Sequence, residues 1–259
     1  MSIASTVLTV NDRLELARTL MKEKLTANGK DFLTDDNLIE LIERWRCFYY
    51  DKCRVDNTSD WTVTGSLALS FDSTNKCYNL NTNSNQSFGY AILDDYYFKL
   101  PLAIEYDFML LQGGNNYNNQ LRVGLCYPYS RNIDYFAVVG NVARYSSSIT
   151  EIRTGDIRTT TSDSLNNTLA SNSRTNTLNK WYHAVLTITD TTATFIVTDY
   201  AGNAITLSLA IPDGLDENYD NNQLAISKCY NNNTNVRIKN IKVYGVWKCR
   251  IINQIYLQY

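Results

Sequence analysis

Histidine is nearly absent from this chain. His183 stands alone, and the six cysteines (Cys47, Cys53, Cys77, Cys126, Cys229 and Cys249) include no Cys-x-x-Cys pair. A structural zinc site is therefore not expected, and neither is a nucleophile–histidine triad, because no nucleophile-elbow motif accompanies the histidine. His183 reads as a hydrogen-bonded strand residue. Charge is also scarce. Only 19% of residues are charged and the formal net charge is -2, so nothing provides an electrostatic footprint for nucleic acid or for an anionic membrane. No apolar run approaches the ~20 residues needed to span a bilayer, and the start MSIASTVLTVND lacks a basic n-region and a long apolar core. The expectation is a protein made in the cytoplasm without a signal peptide and without membrane insertion. It would reach a surface by another route, such as release in a virus particle. The cysteines are too sparse for a small disulfide scaffold, and reduced thiols are expected.

Tyrosine is abundant: nineteen Tyr stand against eight Phe, which with many Asn and Thr gives a surface able to stack and hydrogen-bond at once. Plain solubility accounts for the same composition. The clearest pattern runs from Lys180 to Pro212. Three Val/Ile/Leu/Thr-rich pieces are separated by Asp190-Thr191-Thr192 and by Tyr200-Ala201-Gly202-Asn203, which predicts a β-meander. Tyr182, Ala184, Leu186 and Ile188 share one face of its first strand, and Ile205, Leu207, Leu209 and Ile211 share one face of its third.

The first 50 residues differ in kind. Asn11 or Asp12 caps a predicted helix striped by Leu14, Ala17, Met21 and Leu25, and Asn28-Gly29 supplies a left-handed stop. Thr34 with Asp35 and Asp36 caps a second helix, with Leu38, Leu41, Ile42 and Trp45 on one side. Two such helices cannot stand alone, so their stripe lies on the β domain, on a copy of itself or on another protein. Short strands follow from Phe48, including Leu102 to Leu111, Leu121 to Tyr127, Ile133 to Val142, Gln223 to Cys229 and Val236 to Tyr244. The stretch from Ser146 to Asn179 reads as weak strands with a long loop. About twelve strands joined by polar turns predict an all-β, two-sheet antiparallel jelly-roll sandwich preceded by a helical hairpin. The expected organisation is residues 1–47 as a docking or oligomerising hairpin, 48–247 as the sandwich and 248–259 as a tail.

Phe48-Tyr49-Tyr50-Asp51, Asp60-Trp61-Thr62-Val63, Leu102-Ala103-Ile104-Glu105-Tyr106-Asp107-Phe108, Trp181-Tyr182-His183-Ala184-Val185, Leu224-Ala225-Ile226-Ser227 and Val236 to Tyr244 follow one another in an order that resembles the concanavalin A-like lectin/glucanase jelly roll, laminin-G-like domains included. The resemblance spans about Phe48 to Gly245 and implies this fold with a bias toward carbohydrate. A helical start before such a domain is also similar to appendage proteins of phages and archaeal viruses. Laminarinase-like members carry Glu-x-Asp-x-Glu on one strand. Here Glu105 and Asp107 fill the first two positions and Met109 the third, so hydrolysis would need a substitute such as Asp134 or Glu151.

No catalytic residue and no metal ligand is therefore assigned. Jelly rolls sometimes hold Ca²⁺ in loops, and Asp213, Asp216, Glu217 and Asp220 cluster in one, but their spacing matches no defined calcium loop and a solvated acidic loop is expected. No cofactor is expected, Ca²⁺ being the one candidate. Sugars offer an apolar face and hydroxyls, so the glycan-binding candidates are Tyr117, Tyr127, Tyr129 and Arg131 in two polar loops, with Tyr135 and Arg144 beside them. The resulting expectation is a non-enzymatic, lectin-like module of a virion or cell-surface assembly that binds a host glycan as a homo-oligomer, a trimer first. The alternatives are a structural or protein-binding domain and, third, a glycoside hydrolase.

Overall fold

Helix α1 (Val10–Ala27) ends where Gly29 takes φ 63° and the amides of Asn28, Gly29 and Lys30 return to the carbonyls of Leu25 and Thr26, the left-handed stop that Asn28-Gly29 predicts. The computed structural model describes residues 10–82, 88–111, 118–126, 134–142, 147–155, 167–172, 176–189, 191–210, 222–229 and 235–246. Helix α2 (Leu38–Arg46) starts later than Thr34-Asp35-Asp36 suggests: its N-cap is Asn37, in a capping box with Glu40. Asp36 is buried instead, accepting from the Leu33 amide at 2.8 Å and pairing with Arg44 at 2.6 Å and Arg54 at 3.3 Å. A buried carboxylate satisfied from three sides serves the fold better than a cap that Asn37 can supply.

Among the described residues fifteen strands follow. They are β1 (Tyr49–Asp51), β2 (Trp61–Gly65), β3 (Leu67–Asp72), β4 (Cys77–Thr82), β5 (Phe88–Leu93), β6 (Leu102–Leu110), β7 (Asn118–Cys126) and β8 (Asp134–Val142). The rest are β9 (Ser147–Gly155), β10 (Asn167–Asn172), β11 (Trp181–Ile188), β12 (Thr192–Thr198), β13 (Ala204–Ala210), β14 (Gln223–Cys229) and β15 (Val236–Gly245). Among the described residues they make two antiparallel sheets. One runs β13-β12-β11-β6-β15-β4-β3 with β1 also on β15, the other β10-β9-β8-β7-β14-β5-β2. The polar stretch after Ser146 supplies two of these strands, β9 and β10, because pairing in a sheet can override weak apolar content.

The meander is β11-β12-β13, with Tyr182, Ala184, Leu186 and Ile188 buried as their alternation requires. In β6, Ile104, Tyr106, Phe108 and Leu110 point into the same core, which the second sheet completes with Ala91, Leu93, Leu121, Val123, Leu125, Leu224 and Ile226. The chain crosses between sheets at Gly65, where φ is 69°. Gly89, its register partner, lies so close to the crossing that a Cβ there would sit 2.2 Å from the Leu67 amide nitrogen. Cys47, Cys53 and Cys77 are free, buried thiols.

The hairpin is fastened to the sandwich mainly by charge. Glu40, 4% exposed, pairs with Lys52 and Arg54 just past β1, and Arg54 also reaches Asp36. Leu25 and Leu41 are fully buried, whereas Leu14, Leu16 and Leu20 are 50, 50 and 55% exposed.

Candidate functional site

Strand alternation that buries Tyr106, Phe108, Tyr182 and Ala184 necessarily turns Glu105, Asp107, Met109, Trp181 and His183 to the outside of the first sheet. Strands β11 and β15 flank β6, so three rows cross this face: Arg237–Met109–Trp181, Lys239–Asp107–His183 and Lys242–Glu105–Val185. Between Lys239 and Lys242 the strand carries one residue more than β6 opposite it, and Asn240 adopts φ 53°. This bulge aims the Asn240 amide at Asp107.

Each carboxylate is held on both oxygens. Asp107 Oδ1 lies 2.8 Å from His183 Nδ1, and Asp107 Oδ2 accepts from Asn240 Nδ2 at 2.5 Å. Glu105 Oε1 accepts from Lys242 Nζ at 2.9 Å and Oε2 from the Tyr244 hydroxyl at 3.2 Å. The Asp107 hydrogen bond holds the His183 pKa above its ordinary value against the opposing effect of burial, with the charges of Glu105 and Asp107 adding to the rise. Burial pulls the Lys242 ammonium down, but the Glu105 hydrogen bond and the charges of Glu105 and Glu43 outweigh it and the net shift is upward. Where α2 overhangs this edge, Glu43, Arg46 and Cys47 close a cleft of about 190 Å³ with Glu105, Lys242 and Tyr244. Burial pushes the Cys47 thiol up to about 12, so it stays protonated there. Further along the face the Lys239 ammonium stands 3.9 Å from the centroid of the half-buried Trp181 indole.

Paired carboxylates with bound donors are acceptors for positioning. Met109 is on the same face in the third position of the strand pattern, and Asp134 and Glu151, the suggested substitutes, belong to β8 and β9 of the other sheet. Among the described residues no cluster of three or more His, Cys, Asp or Glu is placed to hold a metal ion.

His183 is the hydrogen-bonded strand histidine that its solitary position suggests. Of the loop candidates, Tyr117, Tyr127, Tyr129, Arg131 and Arg144 lie outside the described residues, as do Asp213, Asp216, Glu217, Asp220 and the tail; Tyr135 is in β8. Asn118 pairs with Val142 at one end of the β7-β8 hairpin and Cys126 closes β7 at the other. Sequence reasoning missed Trp181, Lys239, Asn240, Lys242 and Tyr244. Two signals were available: Trp181 alternates with His183 on the polar side of its strand, and Asn240 interrupts the alternation of Val236-Arg237-Ile238-Lys239.

No protein-family model and no curated protein matches the sequence. Solved structures do. A legume lectin-like domain from Entamoeba histolytica matches with a TM-score of 0.57 and 10% identity over 77% of this chain and 97% of that one. The exoplasmic/lumenal domain of VIP36 in its Ca²⁺/Man3GlcNAc-bound form matches at 0.51 and 9% identity, over 71% and 83%. The CBM2 module of the evolved Dit of Lactobacillus casei BL23 phage J-1 matches at 0.52 and 8%, over 76% and 94%. Identities this low speak to architecture, and the architecture agrees with the strand order and the two-sheet core: the chain has the concanavalin A-like jelly-roll fold of legume-lectin-like and galectin-like proteins.

Proposed function

We propose that this protein is a non-catalytic, glycan-binding module, a lectin-like part of a viral or cell-surface assembly that recognises host glycans. The observation that carries the reading is the outer face of the first sheet, where the Trp181 indole neighbours the Asp107–His183–Asn240 cluster. A pyranose needs this combination: an aromatic surface for its C–H face and fixed donors and acceptors for its hydroxyls. Support comes from the likeness to a domain described in a Man3GlcNAc-bound form and to a module of a phage protein.

A glycan array probed with the whole chain and with Trp181→Ala tests it. The expected result is a defined set of bound glycans that the variant loses. If Trp181→Ala keeps them and a Tyr127→Ala/Tyr129→Ala variant loses them, the ligand sits in the loops instead. Binding to no glycan overturns the reading. No cofactor is assigned, so binding is expected to survive chelation of divalent ions. Because Met109 occupies the position of the acid/base carboxylate, incubation with β-glucans should release no reducing sugar; turnover that disappears in Glu105→Gln would make the protein a hydrolase.

A structural reading has its own support in the exposed Leu14, Leu16 and Leu20 of α1. In the proposed assembly these residues bring copies of the chain together, a trimer being the first expectation.

A further inference from the structure

Three cations follow one another along the outward side of β15, and two of them have carboxylates to answer them. Arg237 pairs with Asp72 at 3.2 Å, and Lys242 pairs with Glu105 at 2.9 Å and Glu43 at 3.7 Å. Lys239 stands between them in the row of Asp107, whose oxygens are taken by His183 and Asn240. Among the described residues no carboxylate pairs with Lys239, and its ammonium rests on the Trp181 ring. The positive charge and the stacking surface are thus paired with each other.

The geometry points to selectivity for acidic glycans: Lys239 and Trp181 together form a subsite for a sugar that carries an anionic group, carboxylate or sulfate, next to a stackable ring. This inference rests on the glycan-binding reading and names its ligand class. A neutral sugar that stacks on the ring face under Lys239 must break the cation–π pair, and it offers the displaced ammonium no charge in return. An anionic sugar exchanges partners instead. Its charged group takes the ammonium in a charge-assisted hydrogen bond, and its C–H face takes the ring. Asp107 would oppose an anion, yet His183 and Asn240 already occupy its oxygens.

The same cluster gives the pH dependence. His183 faces Asp107 and Glu105 of β6, Thr198 of β12 in register, and Lys239 and Lys242 of β15, with Glu43 of α2 beyond Lys242. Protonating the imidazole adds positive charge beside the bound anion, so affinity rises as pH falls through the upshifted His183 pKa and declines as pH rises through it.

The experiment is an array that prints neutral oligosaccharides beside uronate-bearing, sialylated and sulfated ones, read with the whole chain and with Lys239→Gln, Lys239→Arg and Trp181→Ala. The expected result is binding to the acidic members, weakened by salt, reduced about tenfold by Lys239→Gln and largely retained by Lys239→Arg. The uronate and sulfate spots report which anion is preferred. Equal binding of neutral and acidic glycans overturns the acidic selectivity while leaving glycan binding in place. Acidic preference that survives Lys239→Gln overturns the assignment to this pair. An empty array overturns glycan binding itself and this inference with it.

Discussion

Asp36 and Glu40 are charged side chains with almost no solvent contact, and both are answered by guanidinium or ammonium groups on other elements. A buried pair of this kind adds little net stability when complete, but removing one member strands the other. Asp36→Ala leaves Arg44 and Arg54 facing an empty place, and the expected loss is about 3 kcal/mol in urea unfolding. A loss below about 0.5 kcal/mol would mean that solvent reaches these groups freely. Gly89 is a different kind of constraint. A Cβ there would meet Leu67 and the Thr64 carbonyl at 2.2 to 2.7 Å, so Gly89→Ala is expected to cost about 3 kcal/mol; an unchanged melting temperature would contradict that close approach. Neither residue announces its role in the sequence. Asp36 sits two residues before a hydrophobic stripe and looks like a cap, and Gly89 is dictated by a neighbour that arrives only when two sheets meet. Glu105 and Asp107 were legible because alternation on a long strand fixes their face; their partners on β15 were not, because the bulge at Asn240 shifts the register.

Helices and strands carry their own consequences. Burial pushes the Glu40 carboxyl upward, but the Lys52 hydrogen bond, the Asn37 amide and the charges of Lys52 and Arg54 hold it below its ordinary value. Since the folded pKa is depressed, this contribution is present above the unfolded carboxylate pKa and is lost as pH falls through the folded one. Acidification below about pH 4 should therefore loosen the hairpin first. The expected signature is loss of helical circular dichroism while the Phe108 amide stays protected from exchange; simultaneous loss of both would mean that hairpin and sandwich form one unit. The stripe of α1 is divided in use. Of its predicted residues Leu25 is buried and Leu14 faces solvent in the single chain, and Leu16 and Leu20, which lie off the stripe, are exposed as well. If they join copies, Leu16→Asp/Leu20→Asp should convert the oligomer to a monomer in light scattering, and an oligomer that survives both changes would place the contact elsewhere. The first two strands of the meander and the start of the third were legible to within a residue, since period-two alternation and polar turns both mark them; Ile211 and Pro212 lie outside the described residues. The strands β9 and β10 were hard to read because their pairing partners, not their own apolar content, make them strands.

At the scale of the whole molecule, two sheets share one core, and where β6, β11 and β15 meet the outward face of the first sheet carries charged and polar side chains around Met109, Trp181 and Val185. The hairpin contributes few apolar side chains to that core, so residues 47–259 are expected to fold without it and to keep their β spectrum, with Lys52 and Arg54 left solvated; a fragment that lacks a β spectrum and a cooperative unfolding transition would show that the hairpin completes the sandwich. The two-sheet plan was readable because strand count, turn composition and helix placement are properties of local sequence. The candidate face was not, because it is assembled from residues 76 to 137 positions apart that only pairing brings together. The role proposed for this face is to hold a sugar through Trp181. Its most direct measurement is a titration of the ¹⁵N-labelled chain with an acidic oligosaccharide selected on the array, following the indole N–H resonances and identifying that of Trp181 by its disappearance in Trp181→Phe. The expected result is a saturable shift of the Trp181 resonance whose midpoint moves to about tenfold higher ligand concentration in Lys239→Gln. A Trp181 resonance that stays fixed while the glycan binds would contradict it.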